Sequence, residues 1–184
     1  MIRELSVKTT ATNNKAKIAF VTSLTVGALG AVCYIILRAF SVEKSGLFGF
    51  IPLIALTAAV FFYNKYVSSV YYYDVTFDSE GYAIFVVRQT VGKRQSTLCR
   101  IGLCEIQKME RETSAERRAH KTPADHRRYL YLPTLMPKVT YRITTKSRYE
   151  SAEIIIECSD EYAELLSAYT KEAKEIEFRL ESEE

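Results

Sequence analysis

The two histidines, His120 and His126, are the residues of this 184-residue chain best suited to chemistry. They flank Lys121 and Asp125, and with a cysteine from elsewhere they could in principle bind a metal ion or transfer a proton. The sequence contains no zinc-ligand spacing, nucleophile elbow, glycine-rich phosphate loop or paired His/Glu motif. Two histidines in a polar stretch are more simply solvated. The sequence therefore predicts no catalytic residue, no metal site, no cofactor and no enzyme.

The four cysteines are not spaced for metal binding or redox chemistry. Cys33 lies in an apolar stretch, Cys99 and Cys104 are five residues apart without a CxxC spacing, and Cys158 is distant from both. Reduced thiols in a cytosolic domain are the simplest interpretation.

Charge is segregated along the second half of the chain. Residues 88–148 hold fifteen Lys and Arg against five Asp and Glu, a net of +10, whereas residues 149–184 hold three against twelve, a net of −9. A basic segment close to a membrane predicts binding to an anionic lipid surface. The candidates for this surface are Arg88, Lys93, Arg94, Arg100, Arg117, Arg118, Lys121, Arg127 and Arg128.

Two other interpretations apply to the same cations. They can be ordinary solvated side chains of strands and a loop, partly neutralised by the acidic end of the chain. Arg127, Arg128, Tyr129 and Tyr131 also interleave cations with tyrosines, as nucleic-acid-binding surfaces do. The chain beyond residue 69 nevertheless carries eighteen cations and twenty anions, which argues against a nucleic-acid partner.

Two uncharged stretches, residues 18–37 and 45–64, must position these residues. Each is about as long as the roughly 20 residues that span a bilayer core as a helix. Because only a few residues separate them, the sequence predicts a transmembrane helical hairpin. Neither stretch contains an ionisable residue, which removes the best evidence for a transporter or channel. The first stretch is also longer than a signal-peptide core.

The orientation follows from the flanking cations. Arg3, Lys8, Lys15 and Lys17 precede the first stretch and Lys65 follows the second, whereas Arg38 and Lys44 flank the connection. The positive-inside bias predicts a multi-pass protein of the cell membrane with both termini and the C-terminal domain in the cytoplasm.

The remaining chain is patterned as an antiparallel β domain. Tyr71, Tyr73, Val75 and Phe77 alternate with polar residues, and turns at 78–81 and 91–93 separate strands at 82–89 and 96–101. Residues 112–128 read as a long loop that holds one helical turn, started by Thr113 and Glu116 as a capping box. Further strands are predicted at 129–132, 139–144 and 153–158. An amphipathic helix follows Ser159.

Six or seven short strands and one closing helix resemble the bacterial pleckstrin-homology-like domains, and the whole arrangement resembles small bacterial two-span membrane proteins. The resemblance is carried by residues 71–77, the turn Gly92-Lys93-Arg94, residues 101–106 and the closing strand and helix of 154–169. It implies an α+β membrane protein: a transmembrane hairpin, then a PH-like antiparallel β domain with one C-terminal amphipathic helix. The acidic turn at 78–81 and the absence of tryptophan depart from the phosphoinositide-binding branch.

The predicted organisation is a cytoplasmic segment at 1–17, the hairpin at 18–69, the β domain at 70–176 and an acidic tail at 177–184. The predicted function is a membrane-anchored, non-enzymatic interaction module that binds a protein partner, a second copy of itself or an anionic lipid surface. The alternative is an accessory subunit of a larger, transporter-type membrane complex, with the hairpin as the contact.

Overall fold

The computed structural model describes residues 2–12, 14–40, 45–147 and 151–183. The helices are α1 Lys15–Ala39, α2 Ser45–Phe48, α3 Phe50–Phe62, α4 Ser114–Ala119 and α5 Asp160–Glu183, and a π-helical turn, Tyr63–Val67, follows α3. The strands are β1 Leu5–Thr9, β2 Ser69–Phe77, β3 Ala83–Val91, β4 Arg94–Gly102, β5 Ile106–Thr113, β6 His126–Tyr131, β7 Val139–Lys146 and β8 Ser151–Ile156. Residues 41–44, which connect the two apolar stretches, and residues 148–150, between β7 and β8, lie outside the described residues.

Two helical segments, α1 and the continuous stretch Phe50–Val67, are long and apolar enough to cross a membrane. They pack against each other in opposite directions, and small residues form the contact. A Cβ added at Gly27 would lie 3.4 Å from the Cβ of Ala55, and one added at Gly30 would lie 3.0 Å from Ile51 Cγ2. The glycines therefore permit a close approach of the two backbones.

The first sheet, sheet A, has the strand order β1-β2-β3-β4, and all its pairs are antiparallel. Strand β1 pairs with β2 from Leu5 opposite Val75 to Thr9 opposite Tyr71. Segment 1–17 was predicted to be separate from the β domain, and this is corrected, because it supplies an edge strand. The two apolar helices are consequently an insertion between neighbouring strands of one β-hairpin.

The second sheet, sheet B, has the order β5-β7-β8-β6. Strand β6 pairs with β8 in parallel, from His126 opposite Ser151 to Tyr131 opposite Ile156. The β domain was predicted to be antiparallel throughout, so this pair is a correction. The helical turn predicted within residues 112–128 is present as α4, but the long loop is corrected at its end, which contains the start of β6. The capping box is confirmed: Glu116 N–H donates to Thr113 Oγ1, and the Glu116 carboxylate accepts from the Thr113 N–H.

The core lies between the two sheets and α5. Its largest fully buried side chains include Tyr73, Phe85, Ile143 and Leu166. The hydroxyl group of the buried Tyr73 is satisfied by a hydrogen bond, since its Oη donates to the carbonyl of Tyr131 at 2.7 Å. Helix α5 continues to Glu183, so the predicted acidic tail at 177–184 is instead helical over its described residues.

We predict that β1 stabilises the β domain. Replacing residues 13–68 by a short Gly-Ser linker should leave β1 paired with β2, because Thr9 and Tyr71 are already neighbours. This linked domain is expected to melt cooperatively, with a circular dichroism spectrum of mostly β structure. Residues 69–183 alone should be less stable by about 2 kcal/mol, since Leu5 and Val7 no longer cover the core. Equal melting temperatures of the linked domain and of residues 69–183 would contradict the pairing of β1 with β2.

Candidate functional site

The candidate site is the end of the β domain from which both apolar helices emerge, called here the helix-proximal end. The linker before α1 is fastened there by a buried carboxylate, Glu157. Glu157 Oε1 accepts from Thr12 Oγ1 at 3.0 Å and from Thr134 Oγ1 at 2.8 Å, and Oε2 accepts from the Thr134 N–H at 3.1 Å. The Thr12 N–H in turn donates to Thr134 Oγ1 at 2.9 Å. Three hydrogen bonds thus satisfy the carboxylate and join the linker to sheet B.

The second helix enters sheet A without a loop. The π-helical turn ends with the Ser68 N–H donating to the Tyr63 carbonyl at 2.9 Å, and β2 begins at the next residue. Within the turn, the Lys65 ammonium lies 5.5 Å from the ring centre of Phe61 and 5.4 Å from that of Tyr66. A cation held over aromatic rings suits the interface between lipid and water. The second helix is therefore continuous with β2, and Thr12 before the first helix is hydrogen-bonded to the β domain.

The turn between β3 and β4 lies at this same end. Val91 pairs with Ser69, the first residue of β2, so the next residues of the turn lie beside the end of the π-helical turn. Gly92 has φ of +60°, a conformation that favours glycine. Lys93 and Arg94 follow it and are exposed. Two cations are thus placed beside the base of the apolar helices.

The loop between β6 and β7 adds an apolar side chain. Thr134 fixes the start of the loop beside Thr12, and the carbonyl of Pro137 accepts from Ser114 Oγ at 2.6 Å and from Arg117 Nη2 at 3.2 Å. Between these supports, Met136 is 58% exposed and has φ of +56°. A non-glycine residue in this conformation stores backbone strain, which its surroundings must hold in place. The fold therefore presents an exposed methionine next to the linker.

The nine predicted cations do not form one surface. Lys93 and Arg94 lie together at the helix-proximal end, but Arg100 is six residues further along β4, about 20 Å away. Arg118 and Lys121 are exposed on and after α4, beside sheet B, and Arg127 is exposed on β6. Lys93 and Arg94 are therefore the pair that strand pairing, Val91 opposite Ser69, brings next to the second helix.

Three of the nine cations support the fold. Arg88 Nε lies 2.5 Å from Oδ2 of the buried Asp74. Arg117 donates to Thr140 Oγ1 at 2.9 Å as well as to the loop carbonyl of Pro137. Arg128 donates to the Arg117 carbonyl at 3.4 Å. Their guanidinium groups are engaged within the domain and are less available to a lipid surface.

The histidines also pair within the domain. His120 Nε2 lies 2.8 Å from Oε1 of Glu153, whose Oε2 accepts from Thr122 Oγ1 at 2.9 Å, and His126 Nδ1 lies 3.0 Å from Asp125 Oδ1. No group of three His, Cys, Asp or Glu side chains is arranged for a metal ion within the described part of the chain. Each histidine thus pairs with one carboxylate of the β domain.

The three thiols of the β domain are free, and burial raises the pKa of each. All four cysteines lack a disulfide. Burial raises the pKa of Cys99 to about 11 and that of Cys158 to about 12, which keeps both thiols protonated. Their arrangement favours packing over nucleophilic chemistry.

Sequence reasoning missed the Glu157 cluster and the Met136 loop. The pattern marked only a break between Pro133 and Pro137, and a methionine between two prolines was the available signal. The partners Thr12, Thr134 and Glu157 are separated by more than twenty residues at every step, so no local pattern connects them.

Comparison of the chain with protein-family models, with curated proteins and with solved structures gives no significant match.

We predict that Glu153 contributes to the loss of β-domain stability at low pH. Burial by itself raises the pKa of Glu153, but the hydrogen bonds from His120 and Thr122 outweigh it, so the pKa is lowered from 4.5. The stabilisation is complete above the unfolded pKa and is lost as the pH falls through the lower, folded pKa. Glu153→Gln should cost about 1–3 kcal/mol at neutral pH and reduce the loss of stability below about pH 4.5. Urea unfolding of the linked domain at a series of pH values measures this.

The matched control is Glu164→Gln, which removes a carboxylate from an exposed position on α5. Its acid dependence should equal that of the unchanged domain. If Glu153→Gln and Glu164→Gln show the same pH dependence of unfolding, the pair of Glu153 with His120 does not contribute to acid sensitivity.

Proposed function

We propose that this chain is a membrane-anchored, non-enzymatic interaction module of the cytoplasmic membrane face. In this proposal the two apolar helices span the bilayer as an antiparallel pair and the helix-proximal end of the β domain rests on anionic lipid. The observation that carries it is the insertion of the exposed apolar helices between β1 and β2, since this places both helix bases at one end of the domain.

The surface of the helix pair supports the membrane part of the proposal. Large apolar side chains point outward along both helices, with Ile35 at 65% and Ile54 at 67% exposure. A helix in the core of a soluble protein would bury such side chains, whereas lipid covers them without further protein. Small residues make the contact between the helices, as is common in membranes.

The orientation is supported by the pairing of β1 with β2. The two strands form one sheet, so the segments before α1 and after the π-helical turn must lie on the same side of a bilayer. Lys8 precedes the first helix, Lys15 and Lys17 lie in its first turn, and Lys65 lies in the π-helical turn at the end of the second. The positive-inside bias then favours the cytoplasm for the whole β domain.

The contact with lipid is assigned to the β3–β4 turn and the Met136 loop. Lys93 and Arg94 supply charge that an anionic leaflet attracts, and Met136 supplies an apolar side chain that can enter the interface. Arg100, Lys121 and Arg127 contribute less in this arrangement, because they lie beside other parts of the sheets. Arg118 follows Arg117, which contacts the Met136 loop, and adds to the charge near that loop. We also propose a PH-like origin for the two sheets closed by α5, although the parallel β6–β8 pair departs from an all-antiparallel arrangement.

A second candidate is an accessory subunit of a larger membrane complex. It is favoured by a groove of about 560 Å³ on the helix pair, whose small side chains include Ala19, Ser23, Ala55 and Ala58. Such a groove accommodates a neighbouring helix. Stoichiometric recovery of one transport complex in mild detergent, lost on Ala58→Leu, would favour this candidate over the first.

We predict the topology from the strand pairing. Green fluorescent protein fused before Met1 or after Glu184 should fluoresce, and alkaline phosphatase at the same positions should be inactive. Phosphatase activity at both ends would reverse the orientation. Opposite results at the two ends would contradict the β1–β2 pairing itself.

We predict that charge reversal in the β3–β4 turn weakens lipid binding. Each cation near an anionic surface contributes on the order of 1 kcal/mol, so Lys93→Glu with Arg94→Glu should reduce binding of the linked domain about tenfold or more. Flotation with vesicles of phosphatidylglycerol or of phosphatidylcholine, at low and high salt, measures this. Binding should require the anionic lipid and should decrease with salt.

The matched control makes the same charge change elsewhere. Arg100→Glu with Lys146→Glu alters two exposed cations away from the helix-proximal end. Equal effects of the two double variants, or equal recovery on neutral and anionic vesicles, would leave a protein partner as the better account.

A further inference from the structure

The end of the β domain opposite the helices contains a second candidate site, called here the distal pocket. It is a cavity of about 310 Å³ between the β2–β3 turn and the C-terminal half of α5. Its walls are mostly apolar and include Ile2, Phe77, Tyr82, Ala173 and Ile176. Its volume lies at the lower limit of pockets that bind ligands, roughly 300–1,000 Å³.

The pocket is preformed because the β2–β3 turn is held by its own hydrogen bonds. The Asp78 N–H donates to the Tyr82 carbonyl at 2.9 Å, and Asp78 Oδ1 accepts from the N–H groups of Glu80 and Tyr82, both at 2.9 Å. Gly81 has φ of +86°, which completes a tight turn. The apolar side chains of Phe77 and Tyr82 nevertheless remain 41% and 54% exposed. A rigid turn therefore holds uncovered apolar surface open.

The rim of the pocket is acidic. Glu172 and Glu177 are among its lining residues, and the adjoining turn carries Asp78 and Glu80. Burial, and after it the carboxylate of Glu177, raise the pKa of the Cys104 thiol in the pocket wall. Lys171 and Lys174 adjoin the lining residues Glu172 and Ala173 in the sequence, and Arg3 adjoins Ile2, but none of these cations lines the pocket. Within the described part of the chain, the wall of the apolar opening therefore contains the carboxylates of Glu172 and Glu177 and no lysine or arginine.

A lipid surface does not suit this site. Strand β2 has nine residues, so the pocket lies about 30 Å beyond the base of the helices. That distance exceeds the reach of an anionic leaflet, whose potential falls within a Debye length of about 8 Å, and the acidic rim would be repelled by it. Charge complementarity instead favours a cationic protein segment with an apolar anchor.

We propose that the distal pocket binds an extended segment of a partner protein in which one bulky apolar side chain is flanked by Lys or Arg. The apolar side chain enters between Tyr82 and α5, and a flanking cation lies against Glu177. This deepens the proposed function by giving the interaction module a partner of defined chemistry. It does not depend on the lipid contact at the other end.

The test is a selection from a random dodecapeptide library on the full chain in nanodiscs, after depletion on empty nanodiscs. Enriched peptides should combine a Phe, Leu, Ile or Met with adjacent Lys or Arg. The most enriched peptide, made with a fluorescent label, then gives a Kd by anisotropy. No enrichment over empty nanodiscs, or enrichment of peptides without this combination, would overturn the proposal.

Substitutions locate the binding. Ala173→Trp fills the pocket and should raise the peptide Kd about tenfold or more, whereas Ala168→Trp, at an exposed position on the same helix, should not change it. Glu177→Lys should raise the Kd about fivefold at low salt and less at high salt, and Glu164→Lys serves as its charge-matched control. Glu177 is exposed, so this variant remains informative if Ala173→Trp fails to fold.

The two functional proposals fail in different ways. Peptide binding that is unchanged by Glu177→Lys but lost with Lys93→Glu and Arg94→Glu would overturn the distal pocket as the site. If the linked domain does not bind anionic vesicles but the full chain still binds the peptide, the lipid contact is overturned. The distal pocket then remains supported.

Discussion

The pairing of β1 with β2 is the constraint on which the rest of the structure depends. Thr9 and Tyr71 are neighbours in a sheet although sixty-one residues lie between them, so the apolar helices leave and return at one place. The same pairing gives the β domain two distinct ends: one holds the helix bases and the β3–β4 turn, and the other holds the β2–β3 turn. Without β1, the domain would be attached through a single strand and its direction would be less restricted.

Many of the charged side chains form ion pairs with one another in the folded domain. The net of +10 over residues 88–148 suggested one basic surface, but Arg88 pairs with Asp74, and Arg142 bridges Glu110 and Glu112. Buried carboxylates such as Asp74 and Glu112 require partners, and the neighbouring strands supply arginines. A local count of charges therefore overestimates the cations available to a ligand. Only register and burial separate Lys93, which is exposed, from Arg88, which is engaged.

The sequence predicted the features that depend on local pattern. The alternation from Tyr71 to Phe77, the capping box at Thr113 and the helix after Ser159 all follow from periodicity or from hydrogen bonds within a few residues. Strand β1 was missed because five residues are a weak signal, and its partner lies beyond both helices. The parallel β6–β8 pair and the Glu157 cluster were missed for the same reason. Their stability comes from tertiary contacts that no local pattern reports.

The attachment of both helices to the β domain allows weak contacts at either end to be effective. Thr12, just before α1, is hydrogen-bonded to Glu157, and the π-helical turn leads directly into β2, so both helix bases are held close to the domain. In the proposed function, anchoring of this kind replaces three-dimensional diffusion by a fixed position and gives Lys93 a high effective concentration at a lipid surface. Two cations and one methionine would then be sufficient at the helix-proximal end. The same position would direct the proposed peptide site of the distal pocket away from the bilayer.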